Sequence, residues 1–153
     1  MEQSQTLRSI LISFQGGIAI LPNSTVVEVL PFATPLRMEE APPWVVGAIL
    51  WKTLTIPIVS LERLIYRTDP GSGAHSRIIV VSALGNNPKL RDFGFLGTEA
   101  PQLMDLKRSD IALHKTREPA MPGVSCRVSV KGHEAVIPDM VAIESVLNRA
   151  IKA

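Results

Sequence analysis

Apolar residues along this chain fall into short runs bounded by turn residues, and sustained helical periods are scarce. Arg8 to Phe14 is rich in β-branched and apolar residues, Gly16-Gly17 interrupts, and Ile18 to Leu21 resumes. This predicts a hairpin, because paired glycines accept the positive φ angles of a tight two-residue turn. Pro22 stops the second strand. Asn23, Ser24 and Thr25 then offer capping side chains, and Val26, Val27, Val29 and Leu30 recur at helical spacing. A short helix is expected over Asn23 to Leu30, against a β-branched content that favours a strand. Pro31, Pro35, Pro42 and Pro43 punctuate an irregular connection. Trp44 to Trp51 and Leu54 to Val59 read as a second hairpin turning at Lys52-Thr53. Pro57 inside the return strand implies an edge position or a bulge. Ser60 is placed to cap a short helix carrying Leu61, Leu64 and Ile65 on one side.

The run from Asp69 to Gly73 is the clearest loop, and residues 68–76 are the expected subdomain boundary of a single domain spanning 1–153. Arg77 to Leu84 is a nearly continuous apolar strand, turned by Gly85-Asn86-Asn87-Pro88, with Asp92 to Gly97 as its partner. Gln102 to Ile111 reads as strand plus turn. Gly123 to Val130 alternates, turns at Lys131-Gly132 and returns through Ala135 to Ile137. Asp139 then caps a last helix with Met140, Ile143, Leu147 and Ile151 in one stripe. Ile20-Leu21-Pro22, Thr55-Ile56-Pro57 and Val136-Ile137-Pro138 each end a hairpin ahead of a helical segment, an internal echo that suggests two similar halves. About ten short strands with a turn every 8–12 residues favour closed barrels over an open sheet. The fold class is mainly β.

Composition supports a folded chain and narrows its chemistry. With 46% hydrophobic and 20% charged residues in 153, there is material for a sizeable core. A chain of this size buries roughly 70% of the surface its unfolded form exposes. The formal charge is +2, and Lys89, Arg91, Lys107, Arg108, Lys115 and Arg117 are interleaved with Asp92, Asp105, Asp110 and Glu118. No concentrated basic face results, and with 5% aromatic residues there is little to stack bases, so nucleic acid is not an expected partner. The single cysteine, Cys126, requires no oxidising compartment. Neither a signal-peptide pattern nor an apolar run of about 20 residues is present, so the protein is expected in the cytoplasm with no membrane insertion.

Catalytic and metal-binding patterns are weak. Cys126, His114, His133 and Asp139 offer a thiol, a base and an orienting carboxylate for a small β-barrel enzyme. Cys126, however, lies in an alternating strand where a small buried thiol is ordinary, and no glycine-rich elbow surrounds it. His75, His114 and His133 are far apart, without metal-ligand spacing, and no phosphate loop is present. No metal, cofactor or catalytic residue is expected. The remaining feature is a hairpin bearing large apolar groups. Trp44 and Trp51 flank one strand, and Trp51 beside the cationic Lys52 at a turn suits a contact site. The other reading makes both tryptophans core residues with locally satisfied indole N–H groups.

This segment resembles the CheW-like family of chemotaxis adaptors. The match begins at Val26-Val27-Glu28-Val29, continues through Ala41-Pro42-Pro43-Trp44-Val45-Val46-Gly47, and ends with Ile56-Pro57-Ile58-Val59-Ser60-Leu61. The spacing from Glu28 to Gly47 to Pro57 suits the family pattern without gaps. More loosely, Gly94, Asp110-Ile111 and the run from Gly123 to Leu147 suit its second half. The resemblance implies two intertwined, pseudo-symmetric, SH3-like five-stranded β-barrels sharing an apolar core. It implies a non-catalytic adaptor that joins cytoplasmic tips of chemoreceptors to the regulatory domain of a CheA-type histidine kinase, with recruitment to membrane receptor arrays. The residues expected to bind partners are Glu28, Gly47, Trp51, Lys52 and Pro57.

Three departures bear on that role. Lys52 stands where the family has arginine, which removes the planar fork that bonds a partner bidentately. Thr53 replaces the turn glycine, and a β-branched residue disfavours positive φ, so a reshaped hairpin tip is expected. Ser60 replaces aspartate, a milder change, since both cap helices. Trp51, where the family usually has leucine, offers a different contact. The departures suggest a divergent adaptor in a specialised pathway, such as one controlling surface motility or pili. They also admit a competitor that binds the kinase without coupling it to a receptor.

Overall fold

The computed structural model describes residues 6–69, 73–85, 87–113 and 123–150. Strands β1 (Thr6–Phe14) and β2 (Gly17–Pro22) form the first hairpin, and a 3-10 turn at Asn23–Thr25 leads into β3 (Val26–Pro31). The expected helix over Asn23 to Leu30 is therefore one turn followed by a strand. The β-branched run prevails because β3 pairs antiparallel with β6 (Arg77–Ser82), and such side chains pack well on a pleated surface. Next come β4 (Val45–Trp51), β5 (Leu54–Val59) and a π-helical turn at Glu62–Tyr66. After β6 follow β7 (Asp92–Gly97), β8 (Gln102–Lys107), a 3-10 turn at Arg108–Asp110, β9 (Ile111–Leu113), β10 (Val124–Val130), β11 (His133–Pro138) and helix α1 (Met140–Ala150). Asp139 caps α1 as expected, its Oδ1 accepting the Ala142 N–H at 3.0 Å. His114, Lys115, Arg117, Glu118 and Ile151 lie outside the described residues.

The strands form two barrel-like sheets, one in the order β8-β1-β2-β11-β10-β9 and the other β3-β6-β7-β5-β4. The first counts six segments because β8 and β9 are two arms of one path, bent where Asp110 Oδ2 accepts the Lys107 N–H at 2.8 Å. Each sheet contains one parallel contact, Val136 with Ala19 and Ile58 with Gly94, so the sequence echo corresponds to a repeated topology. The N-terminal hairpin belongs to the sheet built mainly from the second half, which is how the barrels intertwine. The chain passes between sheets at the Asn23–Thr25 turn and again between β7 and β8. The loop at 68–76 therefore does not separate the barrels. It joins β5 and its π turn to β6 of the same sheet.

Apolar side chains divide among the two barrel interiors and a shared layer. Leu11, Ile20, Leu106, Val128 and Val130 fill one barrel, and Trp51, Ile56, Ile58, Ile78 and Val80 fill the other. Between them lie Ile12, Phe14, Ile79, Phe95 and, from α1, Ile143 and Leu147. Strands β1 and β6 face two cores at once: Ile78 and Val80 point into one barrel, Ile79 and Val81 into the shared layer. A strand buried on both faces reads as a continuous apolar run, which is the pattern seen from Arg77 to Leu84.

Candidate partner-docking site

Glu28 lies on β3 and Trp51 at the end of β4, the two edges of the five-stranded sheet. No backbone ladder joins these strands, yet Trp51 Nε1–H donates to Glu28 Oε2 at 2.6 Å. That bond closes the barrel at one end of the seam. At the other end the segment following β3 reaches across, and Leu36 and Ala48 exchange backbone hydrogen bonds of 2.9 and 2.8 Å. Gly47 makes this approach feasible. Its φ is +148°, and a Cβ there would meet the Leu36 carbonyl carbon and Pro35 Cβ, each at 2.8 Å. A bulge between Val45 and Gly47 bends the strand toward Leu36.

Pro57 is buried in β5, which lies between β7 and β4, so the expected edge position is corrected; the bulge lies on the partner strand instead. Pro57 faces Ala48, whose own N–H and C=O turn outward to Leu36. The pair is thus a non-hydrogen-bonded one. The missing donor points away from β4, ahead of the parallel ladder with β7 that begins at Ile58.

The hairpin tip keeps a tight geometry. Lys52 has φ 47° and Thr53 has φ 66°, both positive as a type I′ turn requires. The expected reshaping at Thr53 does not occur; the chain accepts a left-handed β-branched residue. Lys52 Nζ lies 4.7 Å from the Trp51 ring centroid, within cation–π range. Trp51 itself is only 9% exposed, so it packs in the core with its indole satisfied by Glu28, and offers little free area to a partner. Trp44 is half-buried against the shared layer.

The structure therefore joins Glu28, Trp51 and Lys52 in one contact group and sets Gly47 and Pro57 further along the same hairpin. Outside this seam lie apolar side chains that the sequence did not mark. Leu36 is 79% and Leu50 76% exposed, and both line a groove of about 490 Å³ with Leu30, Phe32 and Ile49. Two buried carboxylates were also missed. Glu62 accepts the Gln15 N–H at 2.8 Å and the Ser60 hydroxyl at 3.0 Å, holding the first hairpin turn. Ser60 Oγ in turn accepts the Arg63 N–H at 3.2 Å, the capping role expected of it. Glu144 accepts the Leu84 and Gly85 N–H groups at 2.9 and 2.8 Å. Its signal was present: positions 140, 143, 144 and 147 share one helical face, and Glu144 interrupts the apolar stripe.

Cys126 is half-buried on β10, four residues from Val130, which pairs with His133. At the usual rise, the two are separated by about 13 Å along the strand, and the Asp139 carboxylate is engaged in capping α1. Cys126, His133 and Asp139 are not brought together. Among the described residues no helix is long and apolar enough to cross a membrane, and no group of His, Cys, Asp and Glu could hold a metal ion.

No curated protein matches the chain. Among solved structures, it is similar to the scaffolding protein TtCheW from Thermoanaerobacter tengcongensis, with a TM-score of 0.73 and 17% identity over 91% of this chain and 88% of that one. At that identity the likeness establishes the fold. The model of the CheW-like domain matches residues 9–146, across both barrels and most of α1. The chain belongs to the CheW-like domain family.

Proposed function

We propose that this protein is a non-catalytic cytoplasmic adaptor of a chemotaxis-type signalling system, working by protein–protein contact. It binds the regulatory domain of a CheA-type histidine kinase and couples it to cytoplasmic chemoreceptor tips. The family match over residues 9–146 carries this reading. The docking surface is the outside of the β3–β4 seam. There Leu36 and Leu50 supply apolar area, while Glu28, Gly47, Trp51, Lys52 and Pro57 fix the shape beneath them. Clustered exposed apolar side chains mark an interaction surface more often than scattered ones do.

Calorimetric titration with the kinase regulatory domain from the same cell tests the proposal. Saturable one-to-one binding supports it; two folded proteins that give neither heat nor a complex refute it. A Lys52→Glu chain that folds and binds every partner unchanged removes Lys52 from the site.

A second reading keeps the kinase contact and drops receptor coupling. Lys52 lying over Trp51 favours it, because a cation held on its own neighbour offers a partner less than a projecting guanidinium fork. It predicts kinase binding without receptor-stimulated phosphorylation in a reconstituted assay; normal stimulation rules it out.

A further inference from the structure

A hollow of about 590 Å³ opens beside the π turn, lined by Pro43, Trp44, Arg63, Leu64, Arg67 and Asp69. Apolar Pro43, Trp44 and Leu64 line it beside two arginines and one aspartate. Arg63 is pre-oriented: one guanidinium nitrogen donates to the Pro43 carbonyl at 3.0 Å, and another lies 3.3 Å from the Asp69 carboxylate. Asp69 is 92% exposed, so it meets the guanidinium at the open side of the hollow. Arg67 has no side-chain hydrogen bond or ion pair among the described residues.

The backbone at Arg67 adds a second observation. It follows the π turn in the left-handed region, φ 57°, with its N–H returned to the Arg63 carbonyl. Glycine is the residue that adopts this position without a steric penalty. An arginine here costs stability and places a guanidinium with no partner among the described residues at a hollow lined by Trp44 and Leu64.

We infer that this hollow is a seat for an acidic, apolar-flanked protein segment. A carboxylate of the segment lies between Arg63 and Arg67, its neighbouring aliphatic side chain rests on Trp44, and Asp69 is the chain's own placeholder, displaced when the segment binds. Arginine suits the role because its planar fork donates two parallel hydrogen bonds to a carboxylate. The inference rests on the adaptor reading only in taking the occupant to be protein.

The test uses the full chain and the probe peptide acetyl-Glu-Leu-Glu-Leu-amide, followed by the indole N–H resonance of Trp44. Trp44→Phe assigns that resonance, and the buried Trp51 indole serves as an internal reference. The acidic peptide should shift Trp44 saturably, and acetyl-Lys-Leu-Lys-Leu-amide should not. Asp69→Asn, which frees Arg63, should tighten the acidic peptide about two- to fivefold. Arg67→Gly should weaken it about fivefold while unfolding at the same or a higher temperature, which separates binding from stability. A Trp44 resonance that stays still, that responds equally to the basic peptide, or whose titration is unchanged by Asp69→Asn overturns the inference. The kinase titration is a separate experiment, so either proposal can fail while the other stands.

Discussion

The Trp51–Glu28 bond is a direct test of how the second barrel is closed. Glu28→Ala removes the acceptor and leaves an indole N–H stranded on a side chain that is 9% exposed. A hydrogen bond to a charged acceptor contributes about 1.5–3 kcal/mol, and an unsatisfied buried donor costs a similar amount. The same bond is counted either way, so the expected loss is about 1.5–3 kcal/mol. For a chain of this length that corresponds to a fall of roughly 3–12 °C in Tm. Glu28→Gln keeps a carbonyl acceptor, and since neutral bonds are about half as strong, it should lose about half as much. Trp51→Phe removes the donor and part of the packing together. Completing the cycle with the double variant isolates the bond, with an expected coupling of about 1–2 kcal/mol. Urea unfolding followed by far-UV circular dichroism measures all four proteins. A Glu28→Ala loss below about 0.5 kcal/mol, the range of ordinary surface changes, would refute the closure argument, as would zero coupling.

Thr53→Gly should stabilise the chain by about 0.5–1 kcal/mol in the same assay, because relief of a left-handed penalty of about 1–2 kcal/mol exceeds the entropic cost of glycine, about 0.5–1 kcal/mol. A loss of stability would show that Thr53 makes a contact worth more than its strain. Gly47→Ala should cost at least about 2 kcal/mol and speed amide exchange at Leu36 and Ala48 before other sites, since the Cβ displaces the Leu36 backbone; exchange unchanged there would count against the seam. Because the barrels share Ile12, Ile79 and Phe95 in one layer, urea should unfold both in a single transition, and two separated transitions would contradict the shared core.

Hairpins and the last helix were legible because their signals are local. Gly16, Lys131-Gly132 and the Asp139 cap fix their turns within a few residues, and Arg77 to Leu84 declared burial on both faces. What failed depended on partners distant in sequence. Val26 to Leu30 carries both periods, and only its pairing with β6 decides for a strand. Pro57 looked like an edge residue because nothing local reveals that Ala48 turns its hydrogen bonds toward Leu36. Residues 68–76 have a linker's composition but do not separate the barrels, because the first hairpin joins the far sheet, a choice made by long-range packing. Within the site, Glu28, Trp51 and Lys52 were marked one by one. Their mutual contact spans 23 residues and links opposite edges of a sheet, which no periodicity encodes.

That contact also changes how the departures at the hairpin tip should be weighed. Thr53 was the residue expected to alter the tip, yet it adopts the required angle, so the shape survives and the cost is strain. Lys52 retains its charge but directs it onto Trp51. Had the tip carried a free arginine, a polar partner could have been gripped there by a bidentate pair. With lysine over tryptophan, that corner is self-satisfied, and the unsatisfied surface lies elsewhere: apolar at Leu36 and Leu50, cationic at Arg67. Interface energy concentrates where a side chain is fully desolvated on binding, and an exposed leucine beside an open groove meets that condition better than an indole already buried. The proposed partner contact is therefore expected to draw its affinity from the leucines around the seam, with Glu28 and Trp51 acting through the rigidity they give the barrel edge.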